Sequence, residues 1–283
     1  MRFGFVAPFA DARELSELAT LGEANGWDGV FLAESVWGVD AWIALAAAAM
    51  TTQQLRLGTL LTPVPRWKPW DLASRVGTVD RLSNGRAIMG VGLGALHDGW
   101  LAFEADEGRK TRAQKLDEGL AVYAGLMRGQ PFSFEGTHYT VRPTEFFPPD
   151  PPVQRPRPPV WVVGAHMIGR ERQPSLERAA RWDGLLPQVI APEGRSKPDG
   201  LEAFHDITSV VRRMRTEAGL PWEGYDVIVE ADSSREFVQL EPADPEAWAD
   251  AGATWWVESW WTLSPDEAGL AEMRRRVAAG PPR

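Results

Sequence analysis

Residues 55–94 decide the fold, because they contain one complete strand–helix–strand unit. They read LRLGTLLTPVPRWKPWDLASRVGTVDRLSNGRAIMGVGLG. The apolar run Leu55–Thr62 predicts a strand buried on both faces, and Pro69 opens a segment with the apolar spacing of one helix face. Asn84-Gly85 tolerates the positive φ that ends a helix, and Arg86–Gly94 is a second apolar run. Two strands joined in this way must be parallel, with a right-handed crossover.

The same alternation of strand and helix continues on both sides of this unit. Six further strands are predicted, at Phe3–Phe9, Asp28–Ser35, Val160–Gly164, Asp183–Pro187, Tyr225–Ala231 and Thr254–Trp261. Eight strands alternating with helices in 283 residues is the count of a (β/α)8 TIM barrel. We therefore predict one domain over residues 1–283, and the pattern is weakest between Ala191 and Glu241.

The regular alternation of strand and helix stops after the fourth strand. A helix is predicted at Thr111–Met127 and a hairpin at Phe132–Val141, turning about Glu135-Gly136. We interpret residues 95–159 as an insertion at the end of the barrel that carries the active site. Capping boxes are predicted at Asp11–Glu14 for the first helix and at Ser264–Glu267 for the last.

Composition excludes several classes of function. The net charge of −9 argues against nucleic acid as a partner, although local donors could still bind an anionic cofactor. The absence of cysteine excludes disulfides and thiolate chemistry, and the four histidines are too far apart in sequence to indicate a metal site. No segment resembles a signal peptide or a membrane span, so we expect a cytoplasmic protein.

In a TIM barrel the active site is built where the strands end. The residues at these predicted ends are mostly apolar or aromatic, which suits a flat ring, and no carboxylate pair is placed for glycoside hydrolysis. Candidate cofactor-binding residues at these ends are Ala7, Glu34, Thr59, Leu60, Leu61, Gly92, Gly164 and Ala165.

Each of these candidates also has a structural interpretation. Glu34 ends an apolar strand, where a charge needs a partner, so it either supports the cofactor or bridges the barrel interior. Gly92 either lets a ring approach or packs tightly on the neighbouring strand. His97 and His166 are candidates for a proton donor or a substrate contact, or are ordinary loop residues.

The loop Gly164–Pro174 is the candidate phosphate site. It contains Arg170 and Arg172 and leads into a helix near Ser175, and TIM barrels often bind phosphate between a late loop and a helix N-terminus. The alternative is a surface loop with solvated charges.

The order L-G-T, two prolines, D-R-L-S-N-G-R and G-V-G-L-G, at Leu57–Gly94, resembles the bacterial luciferase-like monooxygenase family. The resemblance implies a TIM barrel that uses reduced flavin or the deazaflavin F420. It further implies a bulge with a non-proline cis peptide at Leu60-Leu61, beneath the central flavin ring, and a glutamate near the flavin at Glu34.

The chain departs from the family pattern at three positions. Ser35 stands where the luciferases have a catalytic histidine, and Leu93 stands where they have an arginine for the FMN phosphate. Leu93 and Ala95 also differ from the motif of the F420-dependent relatives. We interpret the departure of Leu93 and Ala95 from the F420 motif as favouring flavin over F420.

The sequence therefore predicts a flavin-dependent monooxygenase that uses reduced FMN and O2 on a small organic substrate. An F420-dependent oxidoreductase that transfers hydride is the first alternative, and a non-enzymatic flavin-binding barrel is the second. We expect a homodimer, with a separate flavin reductase as a possible source of reduced cofactor.

Overall fold

A computed structural model describes residues 1–96, 99–145, 150–190, 200–233 and 244–282. Its strands are β1 (Arg2–Ala7), β2 (Gly29–Leu32), β3 (Arg56–Pro63), β4 (Ala87–Gly92), β5 (Phe132–Glu135), β6 (Thr140–Thr144), β7 (Val160–Met167), β8 (Gly184–Ile190), β9 (Asp226–Ala231) and β10 (Trp255–Ser259). Its α-helices are α1 (Ala12–Ala24), α2 (Ala41–Thr51), α3 (Pro69–Leu82), α4 (Arg109–Arg128), α5 (Pro174–Ala179), α6 (Gly200–Glu217), α7 (Pro245–Asp250) and α8 (Glu267–Ala278).

Eight of the strands form a closed barrel in the order β1-β10-β9-β8-β7-β4-β3-β2. Strand pairs along it, such as β1 with β10 and β3 with β4, are parallel. The prediction of a (β/α)8 TIM barrel is therefore confirmed. Strands β5 and β6 form a separate antiparallel hairpin.

The chain divides into two compact units. The first unit comprises Met1–Phe9, Thr20–Phe31 and Val160–Arg283, and the second comprises Ala10–Ala19 and Leu32–Pro159.

A cluster of three aromatic rings fills the interior of the first unit. Phe31, Trp161 and Trp255 lie on strands that are not neighbours in the barrel, and their ring centroids are 5.2–5.8 Å apart. Rings on non-neighbouring strands can meet only inside the barrel. Glycines make room for them: a Cβ at Gly184 would lie 2.4 Å from Trp161, and one at Gly4 would lie 2.8 Å from Phe31.

Asp226 is a hydrogen-bond partner of this aromatic cluster. Its carboxylate accepts a hydrogen bond from Trp161 Nε1 at 3.1 Å and lies 3.8 Å from the Arg2 guanidinium. Burial raises the pKa of the Asp226 carboxyl, and the Arg2 charge opposes that rise.

Arg86 is the structural centre of the second unit. Its buried guanidinium donates to the carbonyl oxygens of Ser83, Leu55, Ala49 and Thr52 at 2.7–3.0 Å. One side chain thus joins the end of α2, the start of β3 and the turn after α3. Backbone carbonyls surround the buried charge and satisfy its donors.

Helix α4 holds the β5–β6 hairpin through Glu118. The Glu118 carboxylate accepts hydrogen bonds from the backbone N–H groups of Thr137, His138 and Tyr139 at 2.8–3.0 Å. Although burial acts in the opposite direction, these bonds hold the pKa of the Glu118 carboxyl below its usual value.

Several predicted details needed correction. The capping box predicted at Ser264–Glu267 is wrong. The N-cap of helix α8 is Asp266, whose side chain accepts from Gly269 N, and the helix begins at Glu267. The hairpin turns about Thr137-His138, two residues after the predicted centre, since Glu135 pairs with Thr140 and Gly136 N donates to the Tyr139 carbonyl oxygen. By contrast, the box at the first helix is confirmed: Asp11 accepts from Glu14 N, and Glu14 accepts from Asp11 N, both at 2.8 Å.

Helix α2 is apolar on every side. It reads AWIALAAAAMT, and Ile43 and Met50 are 62% and 67% exposed. Among the described residues, no helix is both long and apolar enough to cross a membrane.

Candidate functional site

The carboxyl end of β3 carries a β-bulge. Thr59 pairs with Met89 and Thr62 pairs with Val91, so the two residues Leu60 and Leu61 lie opposite the single residue Gly90. The Leu60-Leu61 peptide bond is cis, as the family resemblance implies. Leu61 is partly exposed, whereas its neighbours on both sides are buried.

Close packing explains the glycines of β4. A Cβ at Gly90 would lie 2.2 Å from the Thr59 carbonyl oxygen, and a Cβ at Gly92 would lie 2.8 Å from the side chain of Leu61. Of the two interpretations of Gly92, the structure thus supports tight packing on the neighbouring strand. The end of the Leu61 side chain occupies the space over Gly92, and Leu61 remains a candidate for cofactor contact.

Buried hydroxyls lie beneath the bulge. Thr59 and Thr62 are fully buried. Thr62 Oγ1 donates to Thr59 Oγ1 at 2.9 Å, and Thr59 Oγ1 donates to the Gly90 carbonyl oxygen at 3.1 Å. Thr59 therefore faces β4, and its side chain is occupied within the protein.

Glu34 lies beside the bulge and lines an open pocket of about 260 Å³. Its backbone N–H donates to the Leu61 carbonyl oxygen at 3.3 Å, and its carboxyl group accepts from Trp67 Nε1 at 3.3 Å. Burial raises the pKa of the Glu34 carboxyl to about 7, and the Asp40 charge adds to this rise. The group can therefore exist in both protonation states near neutral pH.

Cations and indoles stabilise the walls of this pocket. Arg66 donates to the carbonyl oxygens of Ser35 and Val36 at 3.3 and 2.8 Å, which fixes the loop after β2. The Arg75 guanidinium lies 4.6 Å from the Trp67 ring centroid and 3.4 Å from the Asp40 carboxylate. The Glu34 side chain is thus held by partners whose own positions are fixed.

An arginine that the sequence did not indicate reaches the turn after β4. Arg112 of α4 is buried, and its Nη1 lies 3.4 Å from the carbonyl oxygens of Leu93 and Gly94. Its guanidinium also pairs with Asp106 at 3.2 Å. Position 93 holds leucine where the luciferases have an arginine. Arg112, from a helix that follows later in the sequence, nevertheless brings a guanidinium to this turn.

In the first unit, most polar groups of the predicted phosphate loop have partners. Arg172 forms a two-fold ion pair with Glu177 at 3.0 and 3.1 Å. The Ser175 hydroxyl accepts from Ala165 N and donates to the Val163 carbonyl oxygen. Arg170 is exposed and forms no side-chain ion pair with any described residue.

Strand alternation places other candidates on the outer side of the barrel. Trp161 faces the interior, so Gly164 and His166 lie on the opposite side of β7. A Cβ at Gly164 would lie 2.3 Å from Leu185 and 3.1 Å from Leu176, so this glycine allows close packing of α5. His97 lies outside the described residues.

Ala7 is fully buried and shares a side of β1 with Phe5, whose ring packs on Trp27 and Trp260 outside the barrel interior. Like the other cofactor-binding residues proposed from the sequence, Ala7 remains a prediction.

The sequence reasoning also missed Glu230. Its register partner is Val257, two residues beyond Trp255, so Glu230 faces the barrel interior. Its Oε1 accepts a hydrogen bond from Trp261 Nε1 at 2.7 Å. The sequence signal that could have indicated this residue is a glutamate within an otherwise apolar strand, DVIVEA. Among the described residues, no group of three or more histidine or carboxylate side chains could hold a metal ion.

Comparison with known proteins gives a consistent result. Residues 1–257 match the family described as luciferase-like monooxygenase. The chain is 28% identical over 281 residues to the F420-dependent glucose-6-phosphate dehydrogenase of Beutenbergia cavernae, covering 90% of this chain and 80% of that protein.

Two further similarities are informative. The F420-dependent glucose-6-phosphate dehydrogenase of Microbacterium testaceum is 32% identical over 217 residues, which are 70% of this chain and 63% of that protein. The oxygenating constituent of 3,6-diketocamphane monooxygenase from Pseudomonas putida, solved in complex with FMN, superposes with a TM-score of 0.64 at 20% identity. It covers 82% of this chain and 67% of that one.

We expect Gly90→Ala to lower the free energy of unfolding by about 1–3 kcal/mol, because the added Cβ would overlap backbone that has little freedom to move. Gly77→Ala in α3 is the matched control: its Cβ would lie 3.4 Å from Met127 Cε, and the helix gains up to about 1 kcal/mol from alanine. Urea unfolding of both variants measures the difference. Equal effects would contradict this account of β4.

Proposed function

The chain belongs to the luciferase-like monooxygenase family, and within it we propose an F420-dependent oxidoreductase that transfers hydride to or from a small alcohol or carbonyl compound. Family members and the named relatives are oxidoreductases. The observation that carries the proposal is the identity of 28–32% to F420-dependent dehydrogenases.

This proposal replaces the preference for FMN and O2 that the sequence suggested. The FMN-dependent monooxygenase is related at 20% identity, a level that supports the fold alone. In addition, leucine stands at position 93, where luciferases have the arginine that binds the FMN phosphate. FMN-dependent monooxygenation is therefore the second candidate.

The surroundings of Leu61 support a site for a flat ring. Leu61 is an apolar, partly exposed side chain at the carboxyl end of a barrel strand, and its end lies over Gly92 of β4, where a Cβ would overlap it. The Leu61 carbonyl oxygen accepts a hydrogen bond from Glu34 N. Leu60, Leu61 and Glu34 would form the wall against such a ring and exclude water from one side.

A bound deazaflavin would supply hydride transfer at carbon. The residues of this chain would hold the substrate against it and handle the accompanying proton at the substrate oxygen. Glu34 lines the pocket after β2, and burial raises the pKa of its carboxyl group to about 7, which suits such an exchange near neutral pH.

We expect the protein to bind F420 at least tenfold more tightly than FMN, and its turnover to consume no O2. Titration by fluorescence and an oxygen electrode measure the two quantities. Leu61→Trp should weaken F420 binding by filling the ring site, whereas Leu82→Trp, at an exposed leucine of α3, should not. Tighter binding of FMN, with O2 consumed in proportion to product, would favour the monooxygenase instead.

We further propose that the loop before Ser175 holds the cofactor phosphate. Because Arg172 is paired with Glu177, Arg170 is the cation that supports this role best. Arg170→Ala should weaken F420 binding about tenfold, since a hydrogen bond to a charged group contributes about 1.5–3 kcal/mol. The deazaflavin fragment that lacks the phosphate should bind equally to both proteins. Arg172→Ala is the matched control, and an equal loss there, or none at Arg170, would contradict the assignment.

We also propose a homodimer formed through α2. The exposed face around Ile43 and Met50 carries no charge, so two copies can meet there about a two-fold axis without burying unpaired ions. Ile43→Glu with Met50→Glu should yield a monomer by light scattering, whereas Leu220→Glu, at another exposed leucine, should leave the dimer intact. A wild-type monomer at micromolar concentration would rule out this assembly.

A further inference from the structure

A second pocket lies on the outer side of β10, within the first unit. Because Trp255 packs in the barrel interior, strand alternation turns Glu258 toward the surrounding helices. The pocket has a volume of about 270 Å³, which is close to the lower limit of about 300 Å³ for pockets that hold small molecules. Its lining includes Trp27, Ser233, Glu258, Trp260, Arg275 and Ala279. None of these is a residue that we propose to bind the cofactor.

Glu258 is a buried acid in the wall of this pocket, with a side chain that is 1% exposed. It accepts hydrogen bonds from Trp256 Nε1 at 2.8 Å, Ser233 N at 2.9 Å and Trp260 Nε1 at 3.2 Å. All three of these donors, its partners among the described residues, are neutral, and a carboxylate has about four acceptor positions. A buried charge is costly without a cation, so this wall favours a ligand that brings one.

Two indoles form a corner of the same pocket. The ring centroids of Trp27 and Trp260 are 6.2 Å apart, and the rings stand at 90°. Both N–H groups are used, since Trp27 Nε1 donates to the Val277 carbonyl oxygen at 2.9 Å and Trp260 Nε1 donates to Glu258. The indoles therefore offer ring surface, which attracts organic ammonium groups. A divalent metal ion would need several oxygen ligands, and the described residues contain no such cluster.

A guanidinium lies at the rim of the pocket. Arg275 on α8 is bound by Glu272 through Nε and Nη2, both at 2.7 Å, and its side chain is 70% exposed. A guanidinium has five N–H groups, so three of those on Arg275 have no acceptor within the described part of the chain. They can donate to a carboxylate of a ligand. The pocket thus presents an acid in its wall and a cation at its rim.

We propose that this pocket binds a small amino carboxylate. The ammonium group lies on Glu258 and against the indole corner, and the carboxylate accepts hydrogen bonds from Arg275. A simple amine would leave the Arg275 charge unmatched, and a simple carboxylate would be repelled by Glu258. Binding makes and breaks no covalent bond, and it does not depend on the proposed hydride transfer.

The first test is calorimetric titration of the protein without cofactor. The probes are glycine, β-alanine, 4-aminobutyrate and 5-aminopentanoate, which separate the two charges by increasing lengths, together with butylamine and butyrate. We expect one amino carboxylate to bind at least tenfold more tightly than butylamine or butyrate. Equal affinity for either singly charged probe would contradict a site with two charged ends, and absence of binding by all four amino carboxylates would overturn the proposal.

A blocking variant locates the binding. Ala279 lines the pocket and is exposed, so Ala279→Trp should fill the space without altering Glu258 and should weaken binding of the preferred amino carboxylate at least tenfold. Ala278→Trp is the matched control, because Ala278 is also exposed, is the last residue of α8 and is absent from the lining. Equal binding by the two variants would place the ligand elsewhere.

Two charge variants test the orientation of the ligand. Glu258→Gln should weaken the amino carboxylate and butylamine alike, by tenfold or more. Arg275→Gln should weaken only the amino carboxylate, and Arg274→Gln, on the same helix but outside the lining, should weaken neither. An equal loss of butylamine binding in Arg275→Gln would contradict the assignment. Because Arg275 and Ala279 are exposed, their variants test the site even if Glu258→Gln does not fold.

Discussion

The approach of β3 to β4 is the constraint on which the second unit depends. At Gly90 the two backbones come so close that a single added carbon would lie 2.2 Å from the Thr59 carbonyl oxygen. An atom pair normally needs more than 3 Å, so only glycine fits. The extra residue of β3 then bulges outward at Leu60-Leu61, and the Leu61 carbonyl oxygen becomes an acceptor for Glu34 N. The backbone of Glu34 is thus tied to the bulge that accompanies this close contact between strands.

Much of the sequence signature that indicates the family is structural. Arg86 places its guanidinium among backbone carbonyls, and Asp80 accepts two hydrogen bonds from Gln154, at 2.7 and 3.1 Å. Together they fix the ends of α2, α3 and the segment before β7, away from the pocket that Glu34 lines. These residues therefore report the fold reliably and the chemistry only weakly, which is why the signature alone could not choose between FMN and F420.

The strand and helix pattern was readable from the sequence because each element buries a periodic apolar face. The strand β7 extends to Met167, three residues beyond the prediction, because Gly164 continues the strand, opposite Pro187, and does not end it. The site was less readable, since its partners are far apart in the chain. Arg112 reaches Leu93 from α4, and the pairing of Arg172 with Glu177 depends on the turn of α5. The role of Gly92 required knowing which side chain stands opposite, and that depends on the bulge.

The surroundings of Glu34 act on its carboxyl group in both directions: burial and the Asp40 charge raise its pKa, whereas Thr62, Trp67 and Arg66 lower it. Asp40 and Arg66 already place one negative and one positive group around Glu34, in a protein whose net charge is −9. An ionised Glu34 would add a second negative charge in a poorly solvated place, next to the site that we propose for an anionic cofactor. By linkage, such a cofactor must raise the pKa of Glu34 further, and protonation of Glu34 must tighten binding of the cofactor by the same factor. The pKa of Glu34 would then rise when an anion occupies the site and fall again when the anion leaves.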